Sequence, residues 1–250
     1  MWLYLYYNIK YGCDIMVSNE RRMNFYNYGQ PIDLSMIPEG ELEHALEDFS
    51  EGSIELKECL NVLWSNSMPT ISCCRGNHIE ILDGEPKLHI VHVGYISFAR
   101  DVDVFSYLSS KFINNSSVSL RQKNGKQTIS FYGKNKSQLF VQLANDVLSG
   151  RKENNEELSK KINIRVPITT YVNSMGDLLE EHGINDDIIM AVKQLYAKAI
   201  KLNYDFSAMK NDTKEYELAI EERNKILSQM YSVLEPVVSV NNFAAHKRKF

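Results

Sequence analysis

Val118-Ser-Leu-Arg-Gln-Lys-Asn-Gly-Lys-Gln-Thr-Ile-Ser-Phe-Tyr132 is the stretch on which the fold turns. Two runs rich in β-branched, aromatic and alternating polar residues, 118–122 and 127–132, flank Asn124-Gly125. Asn-Gly readily takes the two left-handed conformations of a tight hairpin turn, so the stretch predicts a pair of antiparallel strands. An isolated hairpin is only marginally stable in water and needs more strands or a helix against its apolar face. Both are expected on either side of it.

Downstream, Ser137 can cap a helix reaching Leu148, with Leu139, Phe140, Leu143, Ala144 and Val147 inward and Gly150 to end it. Upstream, Asp101 or Asp103 can cap a helix carrying Phe105, Leu108 and Phe112. Residues 79–82 and 88–98 have strand composition and are turned by Asp83-Gly84, and 70–74 is a short strand. Before it, Ser53 can cap a helix that sets Leu56, Cys59, Leu60, Leu63 and Trp64 on one face and stops at Met68-Pro69. Helices alternating with paired strands predict an α+β fold, a small antiparallel or mixed sheet covered by helices, over 53–150. Residues 151–161 are highly charged and read as a linker. A helical C-terminal region follows over 162–240, with amphipathic helices at 186–202 and 213–234, the second stopped by Pro236. Residues 1–52 read as an N-terminal extension: an aromatic strand at 1–11, loop over 17–38, then an acidic segment.

A chain of 250 residues, 44% hydrophobic, can bury a core without staples, which excludes global disorder. Its net charge of -4 argues against nucleic-acid binding by bulk positive charge, though not against a local basic patch. Cys13, Cys59, Cys73 and Cys74 form no regular disulfide framework, which points to a reducing, cytoplasmic setting. The apolar start lacks the pattern of a signal peptide, and Asn8 and Lys10 break it far short of the roughly 20 residues a membrane span needs, so no membrane association is expected.

Cys73-Cys74-Arg75-Gly76-Asn77-His78 concentrates reactive and charged groups where a strand ends. A thiolate lowered by Arg75 or His78 would be a nucleophile. Arg75 with the amides around Gly76 would hold a phosphate or carboxylate. Cys73 or Cys74 with His78 would give part of a zinc site, yet His89 and His92 lie three apart on a strand and face opposite ways, so zinc is not expected. The preferred alternative is structural: one cysteine is a small buried strand residue and the loop is a turn. Cys73, Cys74, Arg75, Gly76 and His78 are the ligand-binding candidates.

The helix followed by Thr70-Ile71-Ser72-Cys73-Cys74-Arg75-Gly76 resembles the wybutosine-synthesis methyltransferases that modify a tRNA guanosine, which carry a Thr-x-Ser-Cys-Ser-Gly-Arg-like stretch there. Cys74 and Arg75 crowd the positions before the glycine, and Asn77 stands where that family has arginine. The resemblance implies S-adenosylmethionine as cofactor. The loop is also similar to a Cys-Cys-x-Gly-His loop of uncharacterised bacterial and phage proteins, with Asn77 inserted before His78.

Between Val104 and Asn145 there is no acidic residue, whereas Lys111, Arg121, Lys123, Lys126, Lys134 and Lys136 are present. With Tyr132, the residues Arg121, Lys123, Lys126, Lys134 and Lys136 are candidates for RNA or DNA contact across 111–136. The reading preferred is that lysines protect a hairpin edge while its aromatics are buried. The acidic run from Glu39 to Glu58 reads as a solvated helix face, or more sharply as a surface for a basic partner. No nucleotide-binding glycine motif, nucleophile elbow or zinc-protease motif occurs. The expectation is therefore a non-catalytic intracellular binding or regulatory protein of bacterial or phage type with a protein partner, an inhibitor of a host or defence factor being one form. Its rival is an RNA- or nucleotide-modifying enzyme that uses the 73–78 loop and the basic hairpin.

Overall fold

Asn124 and Gly125 both adopt left-handed backbone, with φ of 51° and 77°. The runs beside them pair antiparallel from Val118↔Phe131 to Lys123↔Lys126, as the Asn-Gly turn requires. A computed structural model describes residues 30–81, 88–152, 156–206 and 213–240. In chain order the elements are α1 (Leu42–Ser50), α2 (Ile54–Ser65), β1 (Thr70–Cys74), β2 (His78–Ile81), β3 (Leu88–Val91), β4 (Gly94–Arg100), α3 (Ser110–Ile113), β5 (Val118–Lys123), β6 (Lys126–Phe131), α4 (Lys136–Leu148), α5 (Glu156–Lys161), α6 (Ile168–Glu181), α7 (Asp186–Phe206) and α8 (Lys214–Val240). The fold is α+β with a helical C-terminal part. Two units divide it: among the described residues, one takes 30–77 and 93–165, the other 78–92 and 166–240.

The first unit is built on an antiparallel sheet of order β1-β4-β6-β5. Its register aligns Cys73, Ile96, Ile129 and Leu120 across the four strands, so these four side chains point to one face. On that face they join Leu56, Leu60, Leu63 and Trp64 of α2 and Leu139, Phe140 and Leu143 of α4 in one core. Each such side chain contributes about 1.5–3 kcal/mol by leaving water. Ser53 caps α2 by accepting the Leu56 N–H at 3.2 Å, and Trp64 Nε1 donates to Thr70 Oγ1 at 3.0 Å. Both outer edges of the sheet are covered. Ile32 exchanges two backbone bonds with Thr70, of 2.8 and 3.0 Å, and the Asn163 side chain bonds the Gln122 backbone at 2.9 and 3.0 Å.

Several expectations need correction here. The acidic segment is not part of an extension: Ala45, Leu46 and Phe49 of α1 belong to the core, and of residues 1–52 the stretch 1–29 lies outside the described ones. The expected linker holds α5, whose Leu158 packs on the same core together with Ile162 just beyond it. Neither Asp101 nor Asp103 caps a helix; Ser109 caps α3 instead, by accepting the Phe112 N–H at 3.3 Å. Ser137 does not cap α4, whose N-cap is Asn135 and makes no side-chain capping bond. The run 88–98 is two strands in two units rather than one strand. The expected strand at 1–11 and the turn at Asp83-Gly84 lie outside the described residues.

The second unit sets the antiparallel ribbon β2–β3 beside α6, α7 and α8. His92 ties the ribbon to the helices. Its carbonyl accepts from Ser174 Oγ at 2.7 Å, and its Nε2 lies 2.7 Å from Tyr196 OH. Burial pushes the Tyr196 phenol well above its ordinary range. Pro236 does not stop α8, which continues to Val240; Leu234 and Val238, four apart, are both fully buried and hold the helix through the proline. Among the described residues no helix is long and apolar enough to cross a membrane.

Candidate functional site

The end of β1 is where chemistry-bearing residues collect. Cys73 and Cys74 alternate to opposite faces of the sheet, as neighbouring strand residues must, and both are fully buried. Cys73 Sγ donates to the Phe49 carbonyl at 3.1 Å. Burial drives its thiol well above the ordinary range, with the Glu51 carboxylate adding to the effect. A thiol held in that state is a poor nucleophile and a poor metal ligand, since both roles need the thiolate.

Beyond the strand, Arg75-Gly76-Asn77 forms a tight loop with two successive left-handed residues, Gly76 at φ 71° and Asn77 at φ 57°. Glycine is required at 76, because a Cβ there would lie 2.7 Å from Gly94 N and 2.9 Å from the Val93 carbonyl carbon. Glu51, at the C-cap of α1, accepts the Arg75 backbone N–H at 3.1 Å. From the other side the Lys136 ammonium donates to Asn77 Oδ1 and to the Gly133 carbonyl. The loop is thus clamped between α1 and the start of α4.

That clamp places Arg75 in a cleft of about 310 Å³ at the end of the sheet. The N-terminal ends of α2 and α4 both line it, through the N-cap Ser53 with Ile54 and Glu55 on one side and Lys136 and Ser137, with Lys134 just before the helix, on the other. Helix N-termini carry a partial positive charge, so the cleft adds two of them to three cationic side chains, against the single carboxylate of Glu55. Arg75 Nε is buried and has no hydrogen-bond partner among the described residues.

The predicted site residues therefore separate. Arg75, Gly76, Lys134 and Lys136 come together at the cleft, although Lys136 is buried and braces the loop instead of facing solvent. Arg121, Lys123 and Lys126 are exposed on the hairpin. Lys123 and Lys126 lie at its turn, and the register puts that turn at the opposite end of the sheet from Gly94. Phe131 lies five residue steps along the strand from Lys126, about 17 Å. Tyr132 is buried, with its hydroxyl 3.3 Å from Ser119 Oγ, so it offers no face for a base to stack on. His78 opens β2 in the second unit, where its ring lies edge-on to His89 at 6.3 Å.

Nothing local in the sequence marks Glu51, Asn77 or Ser137 as site residues. Glu51 is 24 residues from Arg75 and looks like one more carboxylate in an acidic run. Ser137 reads as a cap, and its place in the first helical turn depends on where Gly133 ends the strand. S-adenosylmethionine does not suit the cleft, because its sulfonium is a cation and the lining is cationic. Comparison with protein-family models, curated proteins and solved structures finds no match to this chain.

Proposed function

We propose that this chain is a non-catalytic binding and regulatory protein of the cytoplasm, whose first unit holds an anionic group in the cleft beside Arg75. The carrying observation is the clamped loop: it presents a guanidinium to the cleft while its Cys73 thiol is turned into the core and kept protonated. Such a site is suited to holding charge, not to nucleophilic attack. Among the described residues Cys59, Cys73 and Cys74 are buried and form no disulfide, which favours a reducing compartment. A protein partner is favoured over nucleic acid, since Phe131 and Tyr132 are buried and leave the basic hairpin without stacking aromatics. An inhibitor of a host or defence factor, of bacterial or phage type, remains one form of this proposal.

The test is a melting-temperature screen against nucleotides, sugar phosphates, polyphosphate and short RNAs. A stabilising ligand should be recovered chemically unchanged, and Cys73→Ser should keep the full shift. Conversion of the ligand, abolished by Cys73→Ser, would instead support the RNA- or nucleotide-modifying enzyme.

A further inference from the structure

Resting on the binding reading above, we propose that the cleft is a site for the phosphomonoester group of a small molecule. The first reason is Arg75. Its Nε is buried and has no hydrogen-bond partner among the described residues, while the side chain lines the cleft. The side chain as a whole is only partly buried, and a guanidinium matches two phosphate oxygens in a bidentate bond. The second reason is the path of the chain opposite. β6 turns through Gly133, at φ 78°, directly into α4. The N-cap Asn135 makes no side-chain capping bond, the first-turn amides of a helix have no intrahelical acceptor, and the Ser137 residue of this turn lines the same cleft. Lys136 binds the two halves together by joining Asn77 to Gly133. Lys134 adds a second charge at the cleft.

Charge and size narrow the ligand. Three cations oppose one carboxylate, that of Glu55, which already accepts from Ser53 Oγ at 3.2 Å. A phosphomonoester carries about -1.5 to -2 at neutral pH, more than the single charge of a diester, and so gains more here. A volume of about 310 Å³ is at the small end of ligand sites and admits a phosphate with a modest body rather than a nucleic-acid strand. Ile54, 69% exposed at the lip, and Phe140 give that body an apolar wall.

Calorimetric titration of the full chain with p-nitrophenyl phosphate, bis(p-nitrophenyl) phosphate, inorganic phosphate and a short single-stranded RNA without terminal phosphate tests this. The monoester should bind tighter than the diester and the RNA. Arg75→Ala and Lys134→Ala should each weaken it about tenfold, the loss of one charge-assisted bond, with melting temperature nearly unchanged. Lys123→Glu with Lys126→Glu should have no effect. Absence of monoester binding, or equal affinity in Arg75→Ala, overturns the site while leaving a protein-binding function intact. RNA binding as tight as the monoester and weakened by Arg75→Ala assigns the cleft to a macromolecule and overturns the small-molecule proposal. Release of p-nitrophenol, lost in Arg75→Ala, keeps the phosphate site but overturns the non-catalytic reading.

Discussion

At the residue scale the two neighbours Arg75 and Gly76 have opposite demands. A Cβ on Gly76 would meet Gly94 and Val93 backbone within 3 Å, on top of a left-handed φ of 71°. Gly76→Val should therefore cost about 2 kcal/mol or more in a urea unfolding experiment. Arg75→Ala removes a side chain that the fold does not lean on and should stay within about 0.5 kcal/mol. The cysteines give a pH dependence with a definite sign. Burial raises the Cys59 and Cys73 thiols above their ordinary range in the folded protein. Their stability contribution is thus full below the unfolded thiol pKa and is lost as pH rises above about 8.5. In a Cys13→Ser background, a thiol reagent at neutral pH should leave the native protein unmodified and label three thiols once it is unfolded in urea. Rapid labelling of the native state would show that at least one of these three thiols is accessible, contrary to their burial.

At the element scale, legibility followed the range of the interactions involved. The hairpin at 118–132, the strand at 70–74 and the helix capped by Ser53 were readable because turn chemistry, capping and apolar spacing act within a few residues. The break between β3 and β4 was not. Residues 88–98 are continuously strand-like in composition, and the division falls where Gly94 meets the Arg75 loop, a contact between segments far apart in sequence. α6 was hidden because Ile168, Thr169, Thr170 and Val172 are β-branched and Gly176 interrupts it; burial of Met175, Leu178 and Leu179 overrides those preferences. For the cleft, Arg75 and the lysines at 134 and 136 were visible one by one. Their meeting depends on α2 and α4 packing side by side, which no local pattern encodes. The hairpin itself should be insensitive to its charges: reversing Lys123 and Lys126, both exposed, should move the stability by no more than about 0.5 kcal/mol.

At the scale of the whole molecule, charge is sorted by region. The chain carries a net -4, with a run of carboxylates at 39–58 and none between Val104 and Asn145. In the acidic helices Lys57 bridges Glu43 and Glu47. The cleft, by contrast, gathers three cations around one carboxylate. An anion bound there must stabilise the folded state by mass action, because the unfolded chain has no such site. The most direct measurement is the melting temperature of the full chain in graded inorganic phosphate at constant ionic strength, beside Arg75→Ala. A rise with the logarithm of phosphate in the natural sequence, flat in Arg75→Ala, is the expected result. Equal rises in both, or no rise in either, would contradict an anion-holding site at Arg75.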